Sequence, residues 1–260
     1  MTIRVARDGR GVATVTLSRE GVHNALDAAT MDALAAFAAA PEARVVVLTG
    51  AGASFCAGGD LGWMRAQFDA SDEGRRREAR RLADMLRALN EMPVPLVGRV
   101  NGAAFGGGAG LVSVCDVAVA ADGALFGFTE TRLGLIPATI GPYVVARMGE
   151  GPARRVFMSG RRFPAAEARE LGLVARVVAP DALDEAVEEE VAPYLRCAPG
   201  AVGDAKRLAR RLGPAVGEAE IEASVEALMA RWADPESREG IAAFFEKRPP
   251  RWGCGPGGAT

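Results

Sequence analysis

The sequence predicts an α/β fold, and three features lead to that prediction. Short apolar segments rich in β-branched residues, each about as long as one strand, recur through the first half of the chain. Segments with the spacing of helices separate them. After Pro180 the strand signals end and helical patterns continue almost throughout. Strands that alternate with helices are typical of a parallel sheet, and here a helical C-terminal region is expected to follow it.

The first predicted elements are a β-hairpin and a helix. Residues 12–17 are rich in β-branched side chains and follow the turn-forming residues 8–11, so residues 3–17 are predicted to form the hairpin. The helix is predicted from about residue 28 to residue 39. Three strands should follow at residues 44–49, 95–100 and 116–120. Each is apolar almost throughout, which is typical of a strand covered on both faces.

A second helix is predicted at residues 78–90, between the first two of these strands. Its apolar residues recur at i, i+3, i+4 and i+7, the spacing of an amphipathic helix; they are Leu82, Met85, Leu86 and Leu89. The charged run at residues 72–81 is expected to be a solvated helix face or a loop. Its alternative role is contact with a phosphate through Arg75, Arg76 and Arg77.

Composition limits the classes of function. The 260 residues are 49% hydrophobic and 25% charged, which is enough apolar material for one main domain. The net charge of −2 provides no basic field for nucleic acid. No apolar segment approaches the roughly 18 to 20 residues that span a bilayer, and no signal peptide is recognised, so a cytoplasmic location is expected. The four isolated cysteines predict neither a metal cluster nor a disulfide framework and are expected to be reduced and mostly buried.

Two glycine-rich turns carry the main functional signal. Residues 101–116 contain three consecutive glycines, 106–108, followed by an apolar run suited to a buried helix. Residues 54–61 repeat the arrangement with Gly58 and Gly59. Glycine allows close approach of the backbone, and two converging N–H groups can stabilise an oxyanion that develops during a reaction.

These turns also carry a family resemblance. Residues 57–61 (Ala-Gly-Gly-Asp-Leu), residues 101–108 and Glu130 with residues 133–137 (Leu-Gly-Leu-Ile-Pro) occur in that order. The ordered set resembles the crotonase (enoyl-CoA hydratase/isomerase) superfamily, over about residues 12–248. The resemblance implies a crotonase-type spiral of repeated ββα turns in residues 1–195, then a helical trimerisation region in residues 196–252. Residues 253–260 would be a disordered tail.

The resemblance implies a catalytic role for three residues. The amides of Gly59 and Gly107 would hold a thioester carbonyl oxygen, and Glu130 would be the general acid/base. Burial among apolar side chains would raise the pKa of Glu130 into a range useful for proton transfer. The competing interpretations are tight turns without catalytic function for the glycines and a surface ion pair with Arg132 for Glu130.

Gly110 departs from the family pattern. Hydratases that use two glutamates carry the second one three residues after the oxyanion glycine, where this chain has glycine. Three functions therefore remain open: hydration with one carboxyl, helped by Thr139 or Tyr143; isomerisation of a double bond; and non-catalytic binding of acyl-CoA. The segment after Glu130 looks like the bacterial branch assigned to methylglutaconyl-CoA hydration. The small residue at 110 would also free volume for a branched acyl group.

The resemblance implies further contacts with an acyl-CoA thioester, whose coenzyme A is part of the substrate, so no separate cofactor or metal is expected. Ala25 and Ala57 would approach the adenine and pantetheine, and Phe244 and Lys247 of a neighbouring subunit would approach the adenine and a phosphate. A homotrimer or a dimer of trimers is implied. The expected apolar lining of the acyl pocket is Trp63, Met64, Phe68, Phe105 and Ile140.

Several polar residues have other expected roles. Arg65 and Arg132 are candidates for binding a substrate carboxylate, and Asp60 is expected to cap the following helix. The single histidine, His23, is expected to be structural or exposed. Because no serine lies in a GxSxG turn, a hydrolase with a Ser-His pair is unexpected. Neither glycine cluster has the GxGxxG pattern of a dinucleotide site.

Overall fold

A computed structural model describes residues 1–253. Cys254 and most of the predicted tail lie outside the described residues. The strands are β1 (Ile3–Arg7), β2 (Val12–Leu17), β3 (Val45–Gly50), β4 (Ser54–Cys56), β5 (Leu96–Val100), β6 (Ala103–Phe105), β7 (Val117–Ala121), β8 (Leu125–Gly127), β9 (Arg162–Pro164) and β10 (Arg176–Val178). The helices are α1 (Ala28–Ala39), α2 (Leu61–Asp69), α3 (Asp72–Glu91), α4 (Gly107–Ser113), α5 (Gly141–Met148), α6 (Glu150–Phe157), α7 (Ala165–Glu170), α8 (Leu183–Tyr194), α9 (Pro199–Leu212), α10 (Glu218–Ala233) and α11 (Pro235–Phe245).

The strands form two sheets, which confirms the predicted α/β class. The larger sheet has the order β1-β2-β3-β5-β7-β10, and the smaller has the order β4-β6-β8-β9. The predicted hairpin is present, with Ile3 opposite Leu17 in antiparallel register. All later pairings in the larger sheet are parallel. Strand β3 is buried at every position, as its continuous apolar sequence predicted.

A repeated ββα arrangement links the two sheets. In three successive units, β3 and β4, β5 and β6, and β7 and β8, the first strand joins the larger sheet and the second joins the smaller one. Strands β4, β6 and β8 lie side by side and parallel, so their carboxyl ends meet at one edge. The glycine turn of residues 58–59, the turn of residues 106–107, and Glu130 follow these three strand ends. The fold therefore brings together residues that are far apart in the sequence.

Helix α3 begins at Asp72, six residues before the predicted start. The Ser71 hydroxyl accepts a hydrogen bond from the N–H of Gly74 at 3.2 Å, and acidic residues occupy the first turn, where they complement the helix dipole. The charged run is therefore a helix face. Arg76 forms ion pairs with Glu222 and Glu226 of α10 at 2.9 and 2.8 Å.

The C-terminal helices pack on the core of their own chain. Leu135, Trp232 and Ile241 form a small apolar cluster that joins α10 and α11 to the segment after Glu130. The contact between backbones is close, because a Cβ built at Gly240 would lie 2.4 Å from the carbonyl carbon of Leu133. This packing places α11 directly against the 3₁₀ helix Glu130–Leu133.

Candidate active site

A cavity lies where the two glycine turns, the 3₁₀ helix and the C-terminal helices meet. Its volume is about 370 Å³. The backbones of residues 57–59 and 106–107 form one part of its wall, and Glu130 lies beside them. Helices α2, α3 and α10 and the segment of residues 129–140 supply most of the remaining wall. The catalytic residues implied by the resemblance therefore share one cavity.

In the first turn, backbone hydrogen bonds of the residues on either side of Gly59 fix its position. The N–H of Leu26 donates to the carbonyl of Gly58 at 2.7 Å, and the N–H of Asp60 donates to the carbonyl of Leu26 at 2.9 Å. Gly58 has φ of +94°, a conformation that favours glycine. The Asp60 carboxylate caps α2, as predicted, by accepting from the N–H groups of Gly62 and Trp63 at 2.8 and 3.0 Å.

The second turn packs directly on the first. Gly106 has φ of +48° and donates its N–H to the carbonyl of Gly127 at 2.9 Å. A Cβ built at Gly58 would lie 2.8 Å from the carbonyl oxygen of Phe105 and 3.6 Å from the nitrogen of Gly107. Only glycine at position 58 permits this approach.

The amides of Gly59 and Gly107 are available at the cavity wall. Gly107 is the first residue of α4, where N–H groups have no partner within the helix. Neither amide donates a hydrogen bond to another group in residues 1–253. Two unpaired N–H groups on adjoining turns are a suitable arrangement for stabilising an oxyanion.

Glu130 is held close to these turns, and one of its carboxyl oxygens is shielded from solvent. Its Oε2 atom is inaccessible to solvent and has no hydrogen-bond partner among the described residues. Burial raises the pKa of Glu130 to about 7. Its Oε1 atom would lie 3.0 Å from a Cβ built at Gly106, so the absence of a side chain at position 106 leaves room for the carboxyl. Glu130 forms no ion pair with Arg132 or with any other residue in the described part of the chain.

This arrangement can perform two chemical tasks together. The paired amides can stabilise negative charge on a carbonyl oxygen, which makes the adjacent carbon more acidic. A carboxyl with a pKa of about 7 can both accept and donate a proton near neutral pH. Acid–base chemistry next to a polarised carbonyl needs both features.

Comparison with known families gives the same assignment as the motifs. The sequence model of the family described as enoyl-CoA hydratase/isomerase matches residues 7–254, nearly the whole chain. The chain belongs to that family. A protein of Rhodobacter capsulatus named "probable enoyl-CoA hydratase" is 36% identical over 249 residues, covering 93% of this chain and 94% of the relative.

Solved structures of enoyl-CoA hydratase/isomerase proteins have the same fold. An enoyl-CoA hydratase of Mycobacterium smegmatis is 36% identical, with a TM-score of 0.78, and the match covers 97% of this chain and 99% of that one. An enoyl-CoA hydratase/isomerase of Pseudoalteromonas atlantica is 29% identical, with a TM-score of 0.84, and covers 97% and 100%. These matches agree with the crotonase spiral and its helical C-terminal region.

The cavity contains many of the residues that the sequence suggested. Its wall includes Ala57, Gly59, Trp63, Phe105, Gly107, Glu130, Thr139 and Phe244. Met64, Ile140 and Arg132 also line it, whereas Phe68 packs in the neighbouring cluster around Trp232. Phe244 lies in the wall of its own chain's cavity. That a neighbouring subunit also supplies a Phe244 stays a prediction.

Gly110 and Tyr143, both predicted to bind the substrate, lie outside the cavity wall. A Cβ built at Gly110 would lie 2.6 Å from Cγ2 of Ile140, so Ile140 already fills the volume expected for a branched acyl group. Tyr143 lies outside the cavity, and its buried hydroxyl donates to the carbonyl of Ala83 at 3.3 Å.

Ala25 and Lys247 also lie outside the cavity wall. The N–H of Ala25 donates to the carbonyl of Val22 at 3.1 Å, and its carbonyl accepts from Nη1 of Arg19 at 2.6 Å. Lys247 is exposed just after α11. Their contacts with a bound ligand stay predictions.

Several residues of the wall were missed by the sequence analysis. Gln67 and Glu78 face the cavity from α2 and α3, and Arg162 faces it from β9. Glu78 was counted within the charged run, and Gln67 stood alone as a polar residue without a motif. The helical spacing of Gln67 relative to Trp63, four residues earlier, was the only signal that both face one side.

The remaining candidate residues serve structural roles or lie at the surface. His23 is exposed, and its Nδ1 lies 3.0 Å from the Ser54 hydroxyl. Cys56 and Cys115 are buried and Cys197 is exposed. Within residues 1–253, no group of three His, Cys, Asp or Glu side chains is placed to hold a metal ion. No helix in that range is both long enough and apolar enough to cross a membrane.

Proposed function

We propose that this protein adds water across the double bond of a 2-enoyl-CoA thioester. The observation that carries the proposal is Glu130, whose Oε2 atom is buried and has no partner in residues 1–253, beside the amides of Gly59 and Gly107, which are unpaired in the same range. Coenzyme A belongs to the substrate in this reaction, and the proposal includes no separate cofactor. The names of the relatives support the acyl-CoA class.

Hydration would proceed by proton transfers through the single carboxyl of Glu130. The amides of Gly59 and Gly107 would bind the thioester oxygen and withdraw electron density from the β-carbon. Ionised Glu130 would take a proton from water as the water oxygen bonds to the β-carbon. The α-carbon carries the resulting negative charge and would receive that proton from Glu130. One water is consumed, and Glu130 returns to its starting state.

A more specific form of this proposal is that the acyl chain of the substrate is branched and carries a carboxylate, as in 3-methylglutaconyl-CoA. Arg132 and Arg162 support it, because both line the cavity and neither forms an ion pair within the described residues. Arg162 lies over the ring of Phe105, with its Cζ 5.1 Å from the ring centroid. A carboxylate near Glu130 could pair with either guanidinium.

Isomerisation of the double bond is the second candidate. Only two carboxyl groups line the cavity among the described residues, and Glu78 is already hydrogen-bonded by Trp63 and Arg81. Glu130 could take a proton from one carbon and return it to another without water. A single free carboxyl is sufficient for that reaction.

The family resemblance also supports proposals about assembly and location. We propose a homotrimer or a dimer of trimers in the cytoplasm. Mass measurement of the intact assembly tests the subunit number. A monomer at micromolar concentration would contradict it.

The function is tested with three substrates: crotonyl-CoA, 3-methylglutaconyl-CoA and a 3-enoyl-CoA. Enoyl absorbance and product mass are followed for wild type and for Glu130→Gln. Gain of one water that depends on Glu130 is the expected result. An isobaric product with a shifted double bond would instead establish the isomerase, and binding without turnover of any substrate would support a non-catalytic acyl-CoA-binding protein.

A further inference from the structure

The cavity has a second polar region, formed by Gln67 and Glu78, that the proposed reaction does not use. Both residues line the cavity, on α2 and α3 respectively. Gln67 follows the helix cap Asp60 by seven residues, which is about 10 Å along the axis of a helix. The Gln67 and Glu78 region therefore lies well beyond the glycine turns. The part of an acyl chain distant from the thioester would be placed in this region.

Gln67 is a buried polar side chain with an unused acceptor. It is 7% exposed, and its Oε1 atom is inaccessible to solvent and has no partner in residues 1–253. A buried acceptor left unpaired is unfavourable, because it has lost its hydration without gaining a partner. Its backbone is held in place, since the carbonyl accepts from Nε of Arg75 at 2.8 Å. The side chain is thus positioned for a hydrogen-bond donor from a ligand.

Glu78 provides a second acceptor in the same wall. Its Oε2 atom accepts from Nε1 of Trp63 at 2.9 Å and from Nε of Arg81 at 3.2 Å. The side chain is 15% exposed. A carboxylate has more acceptor positions than these two donors use. The two bonds fix its orientation and leave capacity for a further donor.

The nearest cation of the wall, Arg75, is already engaged. Its guanidinium donates to the backbone carbonyls of Gln67 and Phe68 at 2.8 and 2.9 Å and to the carboxylate of Asp72 at 3.0 Å. It also lies over the ring of Trp232, 5.3 Å from the centroid. The Arg75 guanidinium is therefore already committed and does not favour a ligand carboxylate beside Gln67 and Glu78.

Apolar side chains surround the two acceptors. Ala79, Leu82 and Leu228 line the same cavity with Trp232. Such a wall favours an acyl chain that is mostly hydrocarbon, and it penalises any polar group that is left without a partner. A small group that donates a hydrogen bond and carries no negative charge fits these surroundings best.

We infer that the acyl chain of the substrate carries a hydroxyl group distant from the thioester, bound by Gln67 and Glu78. The hydroxyl would donate to one of the two acceptors, and its oxygen could accept from the Gln67 amide. This inference rests on the proposed acyl-CoA function but not on its 3-methylglutaconyl form. A site built around a substrate hydroxyl discriminates against an analogue that lacks it, because its own polar groups are then left unpaired.

The test measures binding, so that it is independent of turnover. Titration calorimetry compares saturated acyl-CoA ligands of about six, eight and ten carbons, each with and without a terminal hydroxyl. These chain lengths are chosen to span the distance of about 10 Å between Asp60 and Gln67 along α2. The variants are Gln67→Met, which keeps the approximate size of the side chain, and Glu78→Gln. Glu73→Gln is the matched control, because Glu73 is an exposed carboxylate in the first turn of the same helix.

For at least one chain length, wild type and Glu73→Gln should bind the hydroxylated ligand at least about tenfold more tightly than its plain partner. Gln67→Met should remove that preference, with the plain ligand binding at least as well as it binds to wild type. Equal or weaker binding of every hydroxylated ligand by wild type would overturn the inference, as would a preference unchanged in Gln67→Met. A preference for the hydroxyl in a protein that adds no water to any enoyl-CoA would uphold the inference and contradict hydration.

Discussion

Glu130 and Glu78 line the same cavity, yet their surroundings differ. Glu130 follows a strand end beside two glycine turns, and its Oε2 atom has no partner among the described residues. Glu78 lies on a long helix and accepts hydrogen bonds from Trp63 and Arg81. A carboxyl without partners in an apolar site can exchange protons near neutral pH, whereas a carboxylate fixed by donors is suited to recognition. The environment of each group, rather than its residue type, assigns its role.

The largest effect should be the difference in kcat between Glu130→Gln and Glu78→Gln, the two variants in which a cavity carboxyl is replaced by its amide. Glu130→Gln should lower kcat for hydration about 10³-fold, because it removes the proton-transfer group and keeps its size. Glu78→Gln should lower kcat for crotonyl-CoA less than about tenfold, because that short acyl chain makes little use of the distant end of the cavity. Steady-state kinetics of the two variants side by side checks the contrast, and equal losses in kcat would remove it.

The glycine turns give the next largest effect. Gly58→Ala should lower kcat about 10²-fold, because the new methyl group would press on the Phe105 carbonyl and move the Gly107 amide. A side chain at φ of +94° also costs about 1–3 kcal/mol of stability. Kinetics and thermal unfolding measure the two effects.

Gly123→Ala is the control for that substitution, because a Cβ built at Gly123 has no neighbour within 4 Å. It should change neither kcat nor the free energy of unfolding by a measurable amount. Normal turnover in Gly58→Ala would show that the backbone of the first turn does not support the oxyanion site.

The pKa of Glu130 predicts a pH-dependent difference in stability. The folded state raises this pKa from 4.5 to about 7, so between those values it binds more protons than the unfolded state does. The contribution of Glu130 to stability is therefore fully present below pH 4.5 and is lost as pH rises through 7. Relative to wild type, Glu130→Gln should gain up to about 3 kcal/mol between pH 4.5 and pH 8.

Denaturant unfolding of both proteins across that pH range measures the difference. A difference between wild type and Glu130→Gln that is independent of pH would show that Glu130 titrates near its ordinary value.

The smallest predicted effect concerns the glycine that replaces the second family glutamate. Gly110→Ala should destabilise the fold by about 1–3 kcal/mol, because its Cβ would overlap Cγ2 of Ile140. Ile140→Ala should cost less in the Gly110→Ala background than in wild type, since it removes the group that is overlapped. A double-mutant cycle of unfolding free energies measures this coupling, and strict additivity would contradict direct contact.

The two glycine turns could be recognised from the sequence, because Gly58 and Gly106 adopt positive φ values that favour glycine. The catalytic roles of Gly59, Gly107 and Glu130 come from the family resemblance and stay predictions. The first helix and the buried strands were also predicted close to their observed bounds, because their hydrophobic patterns are local. These features depend little on the packing of distant segments.

The features that the sequence could not predict concern packing between segments distant in sequence. Whether Gly110 opens a pocket depends on Ile140, thirty residues later, and the position of Tyr143 depends on its contact with Ala83. The placement of Phe244 depends on how α11 packs against Leu133. Gln67 and Glu78 share no motif, and only the pairing of α2 with α3 at one cavity reveals them.

The most direct test of the central claim is the product mass when crotonyl-CoA is incubated in water enriched in ¹⁸O. The account predicts a product heavier by one water containing the label, formed by wild type and by Glu78→Gln and almost absent with Glu130→Gln. A labelled product formed equally well by Glu130→Gln would contradict the role of Glu130. An unlabelled isobaric product from a 3-enoyl-CoA, with no hydration of crotonyl-CoA, would contradict hydration itself.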